Sequence, residues 1–291
     1  MTPSPAISIV IPTGGPSMAK ERCLELTLAA LSRDISGLPC EVLVVGAVTD
    51  VRSRDVVRQY GTNWTFIGSA QYRNRSASRN TGVGRSSGKY VVFLDDDTIV
   101  ASAGAVSRAA GAASGVAFAC GAKRFWTYPN WKADRVAAAI GHWQRLTSRD
   151  ISLLPCGINR QSGYRDLQEY SFLGNFGAVE RELFDSVGGF DEGTFGAWGR
   201  EDVDLMLRLW LRRPCFGNLH EMVSVVHLNH ALSDEDVASA EKSLRAYMNR
   251  ERELGVQFCA GNLFGTGELD HNEVLVPHPH PVSLLAQGDN Q

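Results

Sequence analysis

Three consecutive aspartates, Asp95, Asp96 and Asp97, directly follow the apolar run of residues 90–94. The run predicts a buried strand, so the three carboxylates stand at the carboxyl end of a strand that contains no charge. Like charges this close repel one another, and desolvation increases the cost. A divalent cation relieves both effects, and oxygen ligands suit Mg²⁺ or Mn²⁺. Single aspartates after strands often form turns or cap helices, but three in succession favour a cation site shared with a diphosphate.

A second acidic group, Glu201 and Asp202, begins a predicted helix over residues 201–213. Acidic side chains are favoured at a helix N-terminus by the macrodipole, which is a sufficient structural explanation. However, residues 193–199 before the helix contain three glycines and the aromatic Trp198. A glycine-rich aromatic loop that leads into two carboxylates predicts an acceptor pocket, where one carboxylate takes a proton from a hydroxyl nucleophile.

Two histidines, His227 and His230, follow a predicted strand over residues 223–228. A lone histidine is usually a polar residue with a local partner. Imidazole joins carboxylates as a ligand of Mn²⁺, however, so a histidine here can complete a metal site at Asp97. His227 is preferred because it comes directly after the strand, and His230 stays open as the alternative.

Three arginines, Arg73, Arg75 and Arg79, fall within seven residues just before the acidic strand. They are either a solvated helix face or a group that reaches a nucleotide, because the guanidinium suits phosphate groups and base edges.

Alternating strand and helix patterns predict an α/β fold with a mostly parallel central sheet flanked by helices. In such sheets ligands bind beyond the carboxyl ends of the strands, where the aspartates lie. Residues 124–165 are rich in Trp and Tyr without a clear period, and they are either sugar-facing or ordinary partly buried surface. Strands are predicted at residues 6–11, 41–45, 64–67, 89–94, 116–120, 172–179 and 223–228, and helices at 19–33, 51–60, 76–87, 103–114, 181–187, 201–213 and 233–255.

The composition is that of a globular protein of 291 residues with a formal net charge of -3, which favours no nucleic-acid partner. The N-terminal residues lack a signal-peptide pattern, and no apolar stretch reaches the ~20 residues of a membrane span. A soluble, cytoplasmic protein is therefore expected. The six cysteines form no CxxC pair, so no zinc site is predicted. The oligomeric state is not predicted.

The order of several short motifs resembles the family 2 inverting glycosyltransferases of the GT-A fold. The resemblance covers about residues 6–232, and the stretch around Trp198 and Asp202 is also similar to the catalytic subdomain of galactosyltransferases and polypeptide N-acetylgalactosaminyltransferases. The motifs are Pro12-Thr13, Arg79-Asn80-Thr81-Gly82, Phe93-Leu94-Asp95-Asp96-Asp97, Gly174-Asn175, Gly188-Gly189-Phe190-Asp191-Glu192 and Glu201-Asp202-Val203-Asp204-Leu205.

The resemblance implies a Rossmann-like GT-A domain over residues 1–264 and a loosely ordered tail over 265–291. Its nucleotide-sugar half would span about residues 1–122 and its acceptor half about 123–264. The implied enzyme is a metal-dependent inverting hexosyl- or N-acetylhexosaminyl-transferase. It would move a sugar from a nucleotide-sugar, expected to be UDP-linked, to a saccharide, peptide, lipid-linked or small-molecule hydroxyl.

The resemblance also implies a role for each motif residue. Asp202 would be the catalytic base, with Glu201 helping to hold the acceptor. The DxD pair Asp95 and Asp97 would bind Mn²⁺ or Mg²⁺ together with His227. The remaining implied contacts are Pro12, Thr13, Arg79, Asp95 and Asp96 with the nucleotide, and Trp198, Gly199 and Asn175 with the acceptor.

One departure from the family pattern concerns the nucleobase. The family usually carries an acidic residue directly after the second strand, whereas here residues 46–49 intervene before Asp50. Three alternative functions stay open: a sugar-nucleotide pyrophosphorylase, a glycosidase, and a catalytically inactive GT-A protein that binds carbohydrate or nucleotide. The first usually has a basic glycine-rich loop after its first strand, and residues 12–16 lack the basic residue.

Overall fold

The computed structural model describes residues 6–14, 22–127, 132–143, 158–160, 174–195, 199–219, 221–228, 230 and 234–254. The helices are α1 (Cys23–Asp34), α2 (Val51–Arg58), α3 (Arg75–Gly84), α4 (Ala105–Val116), α5 (Ala133–Trp143), α6 (Arg181–Ser186), α7 (Glu201–Arg212) and α8 (Asp234–Leu254). The strands are β1 (Ile7–Pro12), β2 (Cys40–Ala47), β3 (Trp64–Ser69), β4 (Tyr90–Leu94), β5 (Thr98–Val100), β6 (Phe118–Cys120), β7 (Lys123–Thr127), β8 (Ile158–Arg160), β9 (Phe176–Glu180), β10 (Gly217–Asn218) and β11 (Ser224–His227).

The central sheet has seven strands in the order β10-β6-β9-β4-β1-β2-β3. Strands β4, β1, β2 and β3 are parallel to one another, whereas β9 runs antiparallel between β4 and β6. Every residue of β1 is buried, as expected for a strand covered on both faces. The predicted α/β class with a mostly parallel central sheet is confirmed.

Helix N-termini are capped by side chains from two kinds of position. Asn74 caps α3 locally, because its side-chain oxygen accepts a hydrogen bond from Ala77 N at 3.1 Å. Helix α4 is capped from across the fold by Asp34, whose carboxylate accepts hydrogen bonds from Ala105 N and Val106 N, each at 3.0 Å. This distant cap explains why α4 begins two residues after the predicted start at residue 103.

A second sheet of four strands, in the order β5-β11-β7-β8, was not predicted as a unit. Strands β5 and β8 have three residues each, and β7 carries Lys123 and Arg124, so neither length nor alternation identifies them. Helix α5 likewise lies in the stretch where no period was recognised. The pairing of β11 with β5 sets His227 opposite Thr98, directly after the aspartates.

No helix in the ranges given above is both long enough and apolar enough to cross a membrane.

Candidate active site

The carboxyl ends of β1 and β4 meet at one edge of the central sheet because the two strands are parallel. Pro12 ends β1, and Thr13 follows it with its amide donating to Val45 O at 2.8 Å. Thr13 is buried, and its methyl group lies against Gly46 at the end of β2. The predicted nucleotide contacts Pro12 and Thr13 therefore lie at the sheet edge from which the aspartates also emerge.

Asp97, His227 and His230 form a group whose potential ligand atoms all lie within 4.8 Å of one another. His227 Nδ1 lies 3.1 Å from one Asp97 carboxylate oxygen, and His230 Nε2 lies 3.0 Å from the other. Leu228 N donates to Asp97 O at 2.8 Å, which ties the end of β11 to the aspartate. A carboxylate and two imidazoles are a donor set that a divalent transition metal accepts, so these residues fit the predicted cation.

Both histidines reach Asp97, so the geometry does not distinguish between them, and the preference for His227 as the metal ligand stays a prediction. The register of β11 with β5 carries His227 to Asp97, and His230 lies within hydrogen-bond distance of the same carboxylate. This arrangement could not be recognised from the spacing because β5 was not predicted.

Asp95 and Asp96 have surroundings different from those of Asp97. Asp95 Oδ1 accepts a hydrogen bond from Arg79 at 2.8 Å, and within the described part of the chain Asp95 is not a member of the potential metal-ligand group. Asp96 is buried, and its carbonyl accepts a hydrogen bond from the Thr27 hydroxyl at 3.0 Å. Its predicted contact with the nucleotide and the metal role of Asp95 stay predictions.

Arg79 joins the aspartate edge to the start of α7. Its Nη1 donates to Glu201 Oε1 at 2.9 Å and its Nη2 to Asp95 at 2.8 Å, while only 1% of the side chain is exposed. Burial acts to lower the pKa of Arg79, but the negative charges of Asp95 and Glu201 outweigh it. The pKa of Arg79 is therefore raised above its ordinary value. The same ion pairs bring Glu201 and Asp202 to the sheet edge that carries Asp97.

The backbone turn before α7 is unusual, because Gly199 has a φ of 101° and Arg200, which is not a glycine, has a φ of 64°. Two successive residues in the left-handed region reverse the chain sharply. For a residue other than glycine this conformation costs free energy, and it persists because contacts with the surrounding structure stabilise it. A side chain at position 199 would also approach the backbone of Ala240 in α8. This turn directs Glu201 and Asp202 at the first turn of α7 toward Arg79.

Asp202 is half-buried and accepts hydrogen bonds from Gly174 N at 3.2 Å and Val203 N at 2.9 Å. Burial, and then the neighbouring charge of Glu201, raise its pKa to about 6, although Arg79 opposes the rise. A carboxylate with this pKa is ionised at neutral pH and is still a better proton acceptor than an ordinary aspartate.

Of the three predicted acceptor residues, Asn175 follows Gly174, which donates to Asp202, and Gly199 precedes the helix that carries Asp202. Gly174 packs against the guanidinium of Arg79 so tightly that a Cβ there would overlap it. Asn175 is buried, its carbonyl accepts from Asp95 N at 3.3 Å, and its side-chain nitrogen has no hydrogen-bond partner among the described residues. Gly199 lies in the turn before α7, whereas Trp198 lies outside the described residues.

Two further arginines act on the site: Arg75, which the sequence offered either as part of a solvated helix face or as a nucleotide contact, and Arg124, which was not predicted. Burial lowers the pKa of Arg124 on β7, although Asp202, Asp95 and Asp97 act against the decrease. The pKa of Arg75 is raised, because Asp95 and Glu201 outweigh the effect of burial. Arg75 and Arg79 are four residues apart on α3, so they lie on the same side of that helix. Arg124 gave no signal in the sequence because β7 was not recognised.

The family model described as glycosyl transferase family 2 matches residues 8–165. The chain belongs to glycosyl transferase family 2. A second model, described as the N-terminal domain of galactosyltransferase, matches residues 158–231 of the chain. The two matches meet near residue 160 and together cover the aspartates, α7 and both histidines, so the predicted family and its galactosyltransferase-like second part are confirmed.

Two solved structures are similar to this chain, and the one with the higher TM-score shows the predicted GT-A fold. One is mannosyltransferase PcManGT from Pyrobaculum calidifontis in complex with GDP-Man and Mn²⁺, with a TM-score of 0.51, 14% identity, and coverage of 87% of this chain and 65% of that chain. Another is S. aureus TarS 1-349, with a TM-score of 0.45, 16% identity, and coverage of 79% and 58%. The chain thus spans less than two thirds of the length of either structure. The comparison with curated proteins finds no match.

Proposed function

We propose that this family 2 glycosyltransferase transfers a sugar from a nucleoside-diphosphate sugar to an acceptor hydroxyl with inversion, and that it depends on a divalent cation. The observation that carries the proposal is the convergence of two sites. The ligand group around Asp97 and the carboxylate of Asp202 belong to elements joined by the ion pairs of Arg79 with Asp95 and Glu201.

Asp97, His227 and His230 would hold Mn²⁺ or Mg²⁺. Such a cation, when bound, neutralises charge on the leaving diphosphate. The metal role of Asp95 that the family resemblance implies would require its carboxylate to serve Arg79 and the cation together. Arg124 and Arg75 add positive charge near the same carboxylates, which favours an anionic ligand there.

Asp202 would act as the base that accepts the proton of the acceptor hydroxyl. Its pKa of about 6 leaves it ionised at neutral pH, and its two backbone hydrogen bonds hold the carboxylate in place. Glu201 is ion-paired with Arg79, so Asp202 is the better proton acceptor of the two. One base suffices for a single in-line displacement, which inverts the anomeric centre without a covalent intermediate.

The acceptor would lie against residues 174–175 and the turn at 199, with Trp198 stacking on it. The buried side-chain nitrogen of Asn175 meets no hydrogen-bond acceptor in the described part of the chain, which supports a contact with an acceptor oxygen. The division into a nucleotide-sugar half over residues 1–122 and an acceptor half over 123–264 belongs to this proposal, as do the tail over 265–291 and a hexosyl or N-acetylhexosaminyl donor group.

The donor is proposed to be UDP-linked, and the nucleobase is the least supported part of the proposal. Asp50 accepts a hydrogen bond from Ser53 N at 2.9 Å and caps α2, which is a structural role for this late acidic residue. The PcManGT structure contains GDP-Man and Mn²⁺, which supports a nucleoside-diphosphate sugar with a divalent cation but not a particular base.

Calorimetric titration with UDP, GDP and dTDP, each with and without Mn²⁺, tests the proposal. We expect one nucleotide to bind, only in the presence of the metal, and we expect Asp97→Asn to abolish this binding. The exposed carboxylate of Asp185 provides a matched control, since Asp185→Asn removes the same charge away from the site. If none of the nucleotides binds under either condition, the proposed function is overturned in favour of an inactive carbohydrate-binding protein.

A further inference from the structure

Arg79 is a large charged side chain that is almost completely enclosed by protein. Its two terminal nitrogens bind Asp95 and Glu201, and its guanidinium lies 5.1 Å from the centre of the Phe190 ring. Gly174 covers it from another side, and any larger residue there would overlap the guanidinium. With 1% of the side chain exposed, Arg79 presents no open surface to a nucleotide.

The partners of Arg79 come from separate parts of the chain. Asp95 follows β4 and Glu201 begins α7, so the two acidic residues are far apart in the sequence. Gly174 completes the connection, because its amide donates to Asp202 while its missing side chain admits the guanidinium. The guanidinium of Arg79 therefore lies where the sheet edge, the segment before β9 and the start of α7 meet.

Three charged groups act on Asp202 from the elements around it. Glu201, next to it on α7, raises the pKa of Asp202, and Arg79 on α3 lowers it. Arg124 on β7 is the third, since its own pKa responds to the charge of Asp202. Glu201 is ion-paired with Arg79. Arg79 therefore fixes the position of the Glu201 carboxylate and also opposes the rise that Glu201 causes in the pKa of Asp202.

We propose that Arg79 is a positioning residue that couples Asp95 to Glu201 and stabilises the ionised form of Asp202, and that it is not a nucleotide ligand. The inference rests on the proposed function, because it assigns Asp202 as the base. A neutral side chain at position 79 would leave Glu201 and Asp202 as adjacent carboxylates without their shared cation. Asp202 would then hold its proton to a higher pH.

The test is a pH titration of Asp202 monitored by ¹³C NMR of labelled aspartate carboxyl groups. The resonance of Asp202 is assigned by its absence from the spectrum of Asp202→Asn. Arg79→Gln removes the charge, Arg79→Lys keeps it, and Arg85→Gln removes an exposed charge next to the same helix. We expect the Asp202 pKa to rise by about one unit in Arg79→Gln. It should stay near the wild-type value in Arg79→Lys and Arg85→Gln, and the calorimetric Kd for the nucleotide should change by less than about threefold in all three variants.

An unmoved Asp202 pKa in Arg79→Gln overturns the inference, and so does a tenfold or greater weakening of nucleotide binding in that variant. If Arg79→Gln does not fold, Arg79→Lys decides. A lower kcat with an unchanged donor KM supports a positioning role, whereas a tenfold higher donor KM overturns it. Failure of the proposed function would give a different result, because the wild-type protein would then bind no nucleotide even with metal present. The NMR titration of Asp202 would still test the effect of Arg79 in that case.

Discussion

The aspartate edge, defined here as residues 95–97 with the carboxyl ends of β1 and β4, differs from the α7 turn, defined as residues 199–202. The aspartates follow a strand with ordinary backbone geometry that is hydrogen-bonded on both sides, to β1 and to β9. The α7 turn instead requires two successive left-handed residues. The first region is positioned by the sheet itself, and the second by contacts that the local chain does not supply.

Helix α8 supplies many of those contacts. Arg250 lies 2.6 Å from an oxygen of Asp191 and 3.3 Å from one of Asp204, and Asp204 is completely buried in the first turn of α7. Gly199 lies against α8 at Ala240. The α7 turn is thus held from the C-terminal side of the chain, so changes there should impair chemistry before they impair the sheet.

The largest expected effect separates the two regions by function. We expect Asp202→Asn to lower kcat by roughly 10²–10⁴-fold, because the variant lacks the proton acceptor. Metal-dependent nucleotide binding at the aspartate edge should persist, as measured by calorimetry beside a transfer assay. Asp185→Asn is the matched control, and its kcat should equal that of the wild type. Wild-type turnover in Asp202→Asn would exclude it as the base.

The aspartate edge is tested by removing its ligands one at a time. We expect His227→Ala and His230→Ala each to weaken Mn²⁺ binding by about tenfold or more, since both imidazoles reach Asp97. Titration of the metal-free protein followed by electron paramagnetic resonance measures the affinity without any turnover. Unchanged Mn²⁺ binding in His230→Ala would leave His227 as the sole imidazole ligand.

The pH dependence should arise at the α7 turn. In the proposed mechanism Asp202 must be ionised, so kcat/KM should rise with pH through about 6 and fall about tenfold for each unit below it. The same raised pKa means that the folded state holds the proton more tightly than the unfolded state does. Ionisation therefore lowers stability as pH rises from about 4 to 6.

The effect of Asp202 ionisation on the stability of the fold can be measured independently of activity. Because Asp202→Asn has no carboxylate to ionise, we expect it to be more stable than the wild type at pH 7, and its denaturant midpoint should lack the decline through pH 6. A pH–rate profile that is flat between pH 5 and 7 would contradict the assignment of Asp202.

The smallest expected effects come from a matched pair of glycines. Gly174→Ala should destabilise the fold by about 1–3 kcal/mol, because the added methyl group overlaps the guanidinium of Arg79. Gly111→Ala, in α4 with open space around it, should stabilise the protein by about 0.5–1 kcal/mol. Urea denaturation measures both changes. Equal midpoints for the two variants would contradict the tight packing described at Gly174.

Prediction from sequence succeeded where local pattern and tertiary position agree. The buried strands β1, β2 and β4 were recognised as short apolar runs, and α7 from its acidic first turn and Pro214 beyond its end. The second sheet was missed, because β5 and β8 are too short for any period and depend on partners far along the chain. The place of Arg124 beside the carboxylates was missed for the same reason, and the sequence left open which of His227 and His230 approaches Asp97.

The amino-acid sequence alone thus determined the α/β class, the family, and the presence of carboxylates at the end of β4 and the start of α7, because periodicity and short motifs are local properties. Only the tertiary structure decided how these groups meet. Both histidines reach Asp97 through the pairing of β11 with β5, and Arg79 lies enclosed between Asp95 and Glu201. Such ion pairs form between groups far apart in the chain, and their geometry depends on packing that no local pattern encodes.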